Sequence, residues 1–466
     1  MSVEQLYTNC LSEAAYFIES KGEVAIIDPL RDYTKYIELA ERKGAKIKYI
    51  FETHFHADFI SGHIDLAKKT GAPIIYGPET QTNFPVHISK DGERFKIGDL
   101  EIEVMHTPGH TPESTCYLLR NEEGKPYCIF TGDTLFVGDV GRPDLFGVAI
   151  TKEELASRMY DSLQRLKELP DHVIVYPAHG PGSSCGKNLG KETWSTIGAQ
   201  KKSNYALQNI SREEFVKELT AGLSKPPQYF PLNAKINREG YQSLDDVMKK
   251  SLRTLSVDEF ESEMKKENTI VLDTRRTHEF EKGFVPGSIF IGLSGRFAEW
   301  VGNLLKMDDR ILLVTDHGKE EESIMRMARV GYENVVGFLD GGFDAWKNSG
   351  RKIDMIISID AEEFLLDYSY DDITVVDVRK QSEYNDVGHV EGAVNVVLQE
   401  FDDQLHKIER LSNEDIYIHC EGGYRSMIAA SLLRRKGFKS IKNVAGGYNA
   451  IVKTSMPLEV PKFSES

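Results

Sequence analysis

The stretch His54-Phe55-His56-Ala57-Asp58-Phe59 decides the fold of the first part of this chain. It follows the strand-like run Lys48-Tyr-Ile-Phe-Glu-Thr53, so its side chains project from a strand end into a loop, where ligands are well placed. Two histidines at positions i and i+2, with an acid at i+4, suit a divalent transition metal that is bound by nitrogen and oxygen. The stretch therefore predicts a metal site.

Other metal-ligand residue types follow apolar strands further along the chain. His110 comes after the alternating run 101–106, Asp133 ends Cys128-Ile-Phe-Thr-Gly-Asp, and His179 ends a run that begins at Val173. One such histidine by itself is more often a solvated or hydrogen-bonded loop residue. Four strand-end sites in this order instead favour one shared metal centre.

The order of these residues resembles the H-x-H-x-D-H signature of the metallo-β-lactamase superfamily, whose last histidine belongs to a second metal. Phe59 occupies that position, and a phenyl ring has no lone pair to donate, so we do not expect a two-metal hydrolase centre. His63 would lie one helical turn further, about 5–6 Å away. Metal–nitrogen bonds are about 2.0–2.1 Å, so His63 would replace the lost ligand only if the loop were rebuilt. We interpret His63 as structural.

Composition narrows the class of protein. A chain of 466 residues has room for about three domains. Its net charge of -16 argues against nucleic acid or an anionic membrane as a partner, and no apolar run approaches the ~20 residues of a membrane span. The first residues show no basic segment followed by an apolar one, so we expect no secretory signal. The five cysteines are scattered and odd in number, which favours a reducing cytoplasm: Cys10, Cys116, Cys128, Cys185 and Cys420.

Beyond residue 250 the chain repeats itself at an offset of 104 to 105 residues. Val271-Leu-Asp-Thr-Arg275 matches Val375-Val-Asp-Val-Arg379, and Asp340-Gly-Gly-Phe matches Ala445-Gly-Gly-Tyr. A repeat of about 100 residues indicates two whole domains, and the alternation of short β-branched runs with helical ones predicts parallel-sheet α/β units.

Four segments follow from these patterns. The Pro-rich stretch 224–231 marks a boundary, although Tyr229 and Phe230 would equally allow an ordered arm that packs back. The expected segments are a metal-binding domain at 1–230, a linker or arm at 231–252, a cysteine-less domain at 253–352 and a last domain at 353–466.

The last domain carries a reactive-cysteine pattern. The strand Ile416-Tyr-Ile-His-Cys420 runs into Glu421-Gly-Gly-Tyr-Arg-Ser426 and then into a helix. Gly422 and Gly423 let the loop curl so that backbone N–H groups point inward and bind an anionic substrate. The helix dipole and Arg425 would lower the pKa of Cys420 and favour a thiolate or persulfide anion.

This region resembles the rhodanese (sulfurtransferase) family, with its D-x-R strand, its G-H-x-x-G-A element at Gly388 to Ala393, and its C-x5-[ST] loop from Cys420 to Ser426. A phosphatase of the same fold usually has a loop one residue longer, so the analogy favours sulfur transfer. The middle repeat has Thr315 or Asp316 where the cysteine would fall, and the glutamates 320–322 would repel an anion. We expect an inactive spacer or docking surface there.

Taken together, the modules resemble the persulfide dioxygenase–sulfurtransferase fusions over essentially the full chain. The resemblance implies an αββα metallo-β-lactamase fold followed by two rhodanese-like α/β domains. It implies one Fe(II) per chain, held by a facial triad that transfers motif by motif to His54, His110 and Asp133. The implied reaction oxidises a low-molecular-weight thiol persulfide with O2 to sulfite, and Cys420 then passes sulfane sulfur to sulfite to give thiosulfate, which would detoxify sulfide.

The resemblance also implies roles for the neighbouring residues. His56, Asp58 and His179 would orient ligands and waters. Arg142 would clamp a substrate carboxylate. Cys185, six residues past His179, would either hold a mixed disulfide or persulfide at the mouth of the site or merely pack there.

Two rival interpretations stay open at this point. The first is a thioester hydrolase that resembles glyoxalase II, which metal content and O2 uptake would distinguish. The second is a non-catalytic sulfur sensor or scaffold, which an intact triad and an intact cysteine loop argue against. The expected partners are a thiol persulfide, O2 and sulfite, and we expect a cytoplasmic homo-oligomer, either a dimer or a tetramer.

Overall fold

The structure is a computed structural model that describes residues 2–146, 150–223, 225–411 and 414–460. By its internal contacts the chain divides into two compact units. The first comprises Met1–Val247 with Met327–Tyr332, and the second comprises Met248–Arg326 with Glu333–Ser466.

Two six-stranded sheets form the centre of the first unit. One has the order β1-β2-β3-β4-β5-β6 and the other the order β12-β11-β10-β9-β8-β7. The strands are β1 Ser2–Thr8, β2 Glu13–Ser20, β3 Glu23–Ile27, β4 Lys46–Phe51, β5 Ile74–Tyr76, β6 His87–Ile88, β7 Arg94–Ile97, β8 Leu100–His106, β9 Thr115–Arg120, β10 Pro126–Gly132, β11 Ile174–Pro177 and β12 Ser195–Thr196. The helices are α1 Thr34–Arg42, α2 His63–Thr70, α3 Lys152–Lys167, α4 Ile197–Ser203, α5 Arg212–Thr220, α6 Phe230–Glu239 and α7 Leu244–Ser251.

The alternation along β8 explains how this unit packs. Leu100, Ile102 and Val104 join a core that also contains Phe51 from the first sheet, so this core lies between the two sheets. Met105 faces the other way and packs in a cluster with residues of α3 and α5. Period-two alternation thus buries one face against a sheet and the other against helices. With α2 packed on the first sheet, the layers run helix, sheet, sheet, helix.

The expected linker or arm, 231–252, is helical. It contains α6 and α7, and the first unit includes it as far as Val247. Tyr229 and Phe230 are buried just ahead of it, as apolar side chains of an arm that packs back would be.

The second unit contains two five-stranded parallel sheets with the same strand order. The sheets run β13-β17-β16-β14-β15 and β18-β23-β22-β19-β21. The strands are β13 Thr254–Leu255, β14 Thr269–Asp273, β15 Ile289–Phe290, β16 Arg310–Val314, β17 Val335–Leu339, β18 Ile357–Ile359, β19 Thr374–Asp377, β20 His389–Val390, β21 Val394–Asn395, β22 Asp415–His419, β23 Ser440–Val444 and β24 Leu458–Glu459. The helices are α8 Val257–Met264, α9 Thr277–Phe280, α10 Phe297–Leu304, α11 Glu320–Ala328, α12 Gly342–Asn348, α13 Ala361–Tyr370, α14 Phe401–Gln404, α15 Tyr424–Arg435 and α16 Gly447–Ile451.

The register of the two sheets settles which residue of the middle repeat stands in the place of the cysteine. Asp273 pairs with Val314 in the first sheet, as Asp377 pairs with His419 in the second. The residue after Val314 is Thr315, so Thr315 rather than Asp316 occupies the position of Cys420.

Candidate metal centre and cysteine loop

Three strand-end loops bring the first candidate ligands together. His54 follows β4, His110 lies between β8 and β9, and Asp133 follows β10. Their ligand atoms all lie within 4.8 Å of one another, and each residue is 1% exposed. The Asp133 Oδ2 atom is 3.8 Å from His54 Nε2 and 3.4 Å from His110 Nε2. Two imidazole nitrogens and one carboxylate thus converge on a single buried point.

Hydrogen bonds to the outer ring nitrogens fix the tautomer of both histidines. His110 Nδ1 lies 2.8 Å from the carbonyl oxygen of Arg142, which only accepts, so Nδ1 carries the proton. Thr53 Oγ1 donates its single proton to Asp28 Oδ2 at 2.8 Å and therefore accepts from His54 Nδ1 at 3.0 Å. Both Nε2 atoms are left with a free lone pair, as metal-ligating histidines require.

The donor set fits a divalent metal. Both Asp133 oxygens are buried without a hydrogen-bond partner among the described residues, which is costly for a carboxylate unless a cation is bound there. Burial, reinforced by the three neighbouring histidines, lowers the pKa of His54 well below its usual value. A neutral imidazole is the form that binds metal. Two nitrogens and one oxygen with open positions are typical of a mononuclear non-haem iron centre.

His56, Asp58 and His179 form a second buried group beside the first. His179 Nε2 is 3.5 Å from Asp58 Oδ2 and 3.5 Å from Asp133 Oδ1. Although burial lowers the pKa of His179, Asp58 and Asp133 together raise it above its usual value. Asp133 therefore presents one oxygen to each group. Phe59 is fully buried and stacks on the His56 ring, with the ring centroids 4.3 Å apart.

His56 also belongs to a carboxylate cluster that the sequence did not reveal. Its Nε2 atom is 3.1 Å from Asp28 Oδ1 and 3.6 Å from Glu52 Oε2. His63 Nδ1 is 3.2 Å from the other Glu52 oxygen, and burial lowers the pKa of His63 to about 3. His63 thus contacts Glu52, away from the three candidate ligands.

Asn237 of α6 holds the motif loop in place. Its side-chain amide donates to the carbonyl oxygens of His56 and Phe59, both at 2.8 Å, and its Oδ1 accepts from the Ser61 backbone N–H at 2.9 Å. A buried amide that satisfies three backbone groups stabilises one conformation of the loop.

Arg142 and Cys185 are buried beside the candidate metal ligands. The Arg142 side chain is almost fully buried, and its guanidinium donates to both oxygens of Asp144, at 2.6 and 2.8 Å. The Arg142 guanidinium, expected to bind a carboxylate of the substrate, thus binds the Asp144 carboxylate in this structure. Cys185 is 1% exposed and groups with Asp133 and His179, and burial, followed by Asp58 and Asp133, raises the pKa of its thiol well above the usual value.

Cys420 lies between β22 and α15, as the sequence predicts. Helix α15 begins at Tyr424, inside the expected loop, and the Gly423 backbone N–H donates to Cys420 Sγ at 3.0 Å. Gly423 has φ +99°, a conformation that side-chain-bearing residues rarely adopt. Ser426 Oγ lies 3.6 Å from the same sulfur. Ser426 donates its single proton to Asn443 Oδ1 at 2.7 Å, so the Gly423 backbone N–H is the donor that the loop directs at Cys420.

Arg425 is paired beside this loop. Its guanidinium donates to both Glu383 oxygens, at 2.6 and 2.7 Å. Burial works against both charges, but the pair raises the pKa of Arg425 and lowers the pKa of Glu383. Arg425 is therefore held charged beside the cysteine.

The middle repeat has a cavity of about 300 Å³ at the corresponding place. Four carboxylates line it, namely Glu279, Asp316, Glu320 and Asp344. Of the three consecutive glutamates expected to repel an anion, Glu320 lines the cavity, whereas Glu322 pairs with Lys319 and Arg326. With Thr315 at the cysteine position and this acidic lining, the middle repeat has neither a nucleophilic sulfur nor a counterpart of Arg425 beside it.

No helix of the described residues is long and apolar enough to cross a membrane.

Comparisons with known proteins match each part of the chain separately. The family model for the metallo-beta-lactamase superfamily matches residues 8–179, and the model for the rhodanese-like domain matches residues 256–349 and 360–454. The chain is similar to a solved metallo-beta-lactamase from Staphylococcus aureus subsp. aureus COL, at 32% identity and a TM-score of 0.65, with 73% of this chain and 98% of that chain covered. It is also similar to ETHE1 from Myxococcus xanthus, at 29% identity and a TM-score of 0.44, with 51% and 98% covered.

Proposed function

Because the chain belongs to the metallo-β-lactamase superfamily and continues into two rhodanese-like domains, we propose that it is a bifunctional enzyme of persulfide metabolism. The expected fold class, an αββα metallo-β-lactamase fold followed by two rhodanese-like α/β domains, is confirmed. The first domain oxidises a thiol persulfide with O2 to sulfite. The last domain transfers sulfane sulfur through Cys420 and yields thiosulfate.

The observation that carries the proposal is the pairing of two sites on one chain. The buried cluster of His54, His110 and Asp133 offers three converging donors, while Phe59 fills the motif position that a second metal would need. The same chain carries Cys420 with the backbone N–H of Gly423 directed at its sulfur. A dioxygenase site that makes sulfite and a sulfur carrier that consumes it form one reaction sequence.

The oxidation balances as R–S–SH + O2 + H2O → R–SH + SO3²⁻ + 2 H⁺. The terminal sulfur loses four electrons, O2 gains four, and the S–S bond breaks. One Fe(II), held by His54, His110 and Asp133, would supply the redox chemistry that side chains lack. The chain's own groups fix the tautomer of both histidines through Thr53 and the Arg142 carbonyl oxygen. Burial of the ligands excludes bulk water.

His56, Asp58 and His179 are positioning residues in this proposal. His179 and Asp58 face each other next to Asp133, so they would hold the water that the stoichiometry requires. Cys185 lies in the same group as Asp133 and His179, where a mixed disulfide or persulfide would bring a substrate thiol next to the site.

Sulfur transfer proceeds in two balanced displacements. The Cys420 thiolate attacks the terminal sulfur of a second persulfide. The S–S bond of R–S–SH breaks, R–S⁻ leaves, and Cys420 now carries the terminal sulfur as a persulfide. Sulfite then attacks the outer sulfur of that persulfide, which regenerates the thiolate and releases thiosulfate. The N–H of Gly423 and the paired Arg425 stabilise the anionic sulfur.

The remaining expectations belong to this proposal as well. Its partners are a thiol persulfide, O2 and sulfite, with neither nucleic acid nor a membrane, in keeping with the net charge of -16. We propose a cytoplasmic homo-oligomer, a dimer or a tetramer.

One observation favours a second function, a thioester hydrolase of the glyoxalase II kind. Asp133 presents Oδ2 to His110 and Oδ1 to His179, which is the arrangement of a carboxylate that bridges two metals. Two metals per chain, with hydrolysis and no O2 uptake, would favour this second function. One iron per chain with O2 uptake favours the first.

Two variants with opposite readouts test the main proposal. Asp133→Ala should lose iron and O2 uptake while sulfur transfer by Cys420 continues, because the two sites use different residues. Cys420→Ser should keep O2 uptake but accumulate sulfite in place of thiosulfate, since a serine hydroxyl cannot carry a persulfide. Metal analysis, oxygen electrode traces and chromatography of labelled products measure these outcomes. Thiosulfate formation by Cys420→Ser at the wild-type rate would exclude Cys420 and make Cys185 the next candidate.

A further inference from the structure

The cysteine loop opens into a cavity of about 950 Å³ that both rhodanese-like domains line. Cys420 and Gly423 come from the last domain, while Arg276, Gly295 and Trp300 come from the middle domain. Both domains belong to the same compact unit. The cysteine-less domain therefore forms part of the wall around the reactive sulfur.

Specific contacts hold this wall against the cysteine loop. The Tyr424 hydroxyl, four residues after Cys420, donates to the Gly292 carbonyl oxygen at 2.8 Å. A Cβ atom on Gly295 would lie 2.2 Å from the Tyr424 ring, so only glycine allows this approach. Ser431 Oγ of α15 accepts the backbone N–H of Phe290 at 3.0 Å. Backbone-to-side-chain bonds of this kind fix the wall relative to the loop.

Two of the cationic side chains that line the cavity have no acidic partner in the described part of the chain. Each of its four glutamates has a partner: Glu281 with Ser358, Glu299 with Arg296, and Glu383 and Glu421 with Arg425. In contrast, the side chains of Arg276 and Lys380 make no hydrogen bond or ion pair with any described residue. The lining carries four acidic side chains and four from arginine or lysine, and each of the two domains adds to it one cation without a partner among the residues described.

The size of the cavity also indicates a sulfur donor larger than an inorganic one. Cavities of ~300–1,000 Å³ accommodate ligands of drug size, so about 950 Å³ far exceeds the needs of an inorganic sulfur donor. A donor that reaches Cys420 through this space would pass along a lining that includes Arg276 and Lys380.

We propose that the middle domain supplies a substrate subsite, in which Arg276 together with Lys380 recognises the anionic tail of a thiol persulfide. The donor class is a persulfide of a thiol that carries carboxylates or phosphates beyond the reacting sulfur. This inference rests on the proposed sulfur transfer. Arg276 is a specificity residue, because it binds the tail and leaves the S–S exchange at Cys420 unchanged.

The experiment measures sulfur transfer from persulfide to sulfite by the full-length protein under anaerobic conditions. Three donors are compared: glutathione persulfide with carboxylates, coenzyme A persulfide with phosphates, and the persulfide of a neutral oligo(ethylene glycol) thiol of similar length. The variants are Arg276→Ala, Arg276→Glu and Lys380→Ala. Arg253→Glu is the matched control, an exposed arginine of the same domain that does not line the cavity.

Arg276→Ala should raise KM for an anionic donor about fivefold and Arg276→Glu more than tenfold, because an exposed charge contact is removed and then reversed. The kcat, the neutral donor and the control variant should stay within about twofold of wild type. A loss confined to one anionic donor identifies the tail as carboxylate or as phosphate. Equal effects on the neutral donor, or no effect on either anionic donor, would overturn the subsite alone. Absence of transfer by the wild type from all three donors would overturn the proposed function with it.

Discussion

Replacing Thr53 with valine should weaken metal binding although Thr53 is not a ligand. Thr53 Oγ1 stands between Asp28 Oδ2 and His54 Nδ1, at 2.8 and 3.0 Å. Valine has nearly the same shape but offers neither a donor nor an acceptor. The His54 ring then loses the hydrogen bond that fixes its tautomer, and neutral imidazole with the proton on Nε2 cannot bind a metal through that atom.

Thr53→Val should lower both the metal affinity and the folding stability, and the two losses can be measured separately. Removing a partner that orients a metal-ligating histidine costs roughly 10–100-fold in metal affinity, or about 1.4–2.7 kcal/mol. The buried Asp28 oxygen also loses its donor, which costs about 1–3 kcal/mol of folding stability. Because Asp28 Oδ1 still accepts from the Thr53 backbone N–H at 2.8 Å, the loop keeps its anchor and the protein should fold.

Competition with a chelator measures the iron affinity, and urea unfolding of the metal-free protein measures the stability. Thr53→Ser keeps the hydroxyl and should bind iron within about threefold of wild type. Ser89→Ala is the stability control, since it removes a buried hydroxyl bond to the Tyr76 carbonyl oxygen at 2.7 Å in the same domain. If Thr53→Val and Ser89→Ala lose similar stability and both keep wild-type iron affinity, the proposed role of Thr53 in metal binding is wrong.

Two further predictions test the surroundings of the two sites. Phe59→His should raise the metal content from one to two per chain without faster O2 uptake, measured by elemental analysis and an oxygen electrode; a substantial gain in turnover would contradict this. Although burial raises it, the bonds from Arg425 hold the pKa of Glu383 below its usual value. The pair therefore stabilises the fold at a pH above the pKa of about 4.3 that a glutamate has in the unfolded chain. This stabilisation is lost as the pH falls through the lowered pKa of Glu383 in the folded protein. The urea midpoint of Glu383→Gln should therefore lie below wild type at about pH 7 and approach it at about pH 3; a gap that persists would refute the ion-pair explanation.

The sequence predicts the candidate ligands because each lies just beyond a strand. The expected strand 101–106 is observed as Leu100–His106. Strand ends of stacked sheets meet at one edge, so short loops carry His54, His110 and Asp133 to the same place. Local patterns are sufficient for this part of the site.

Residues that position the ligands could not be predicted in the same way. Asn237 contacts the motif loop from 178 to 181 residues away in sequence, and a lone asparagine on a helix has no periodicity that indicates such a contact. Arg142 orients the His110 ring through its backbone carbonyl oxygen, a group that every residue type has. Its guanidinium pairs with Asp144, only two residues away, so charge type alone could not reveal whether the fork is free.

The two rhodanese-like domains share a buried ion pair that does not include the residue at the cysteine position. In the last domain Arg379 pairs with Asp377 and donates to the Gly388 carbonyl oxygen at 2.7 Å. In the middle domain Arg275 pairs with Asp273 and donates to the Gly283 carbonyl oxygen at 2.9 Å.

Breaking such a buried pair costs about 3–5 kcal/mol, whereas the residue at the cysteine position is not part of it. A domain with Thr315 in place of the cysteine therefore keeps the frame that orders its loops. Ile291 and Leu293 donate their backbone N–H groups to the carbonyl oxygens of Asp273 and Thr274, so that frame also holds Gly292, which contacts Tyr424. The middle domain can therefore lose the nucleophile and still form the wall of the Cys420 cavity.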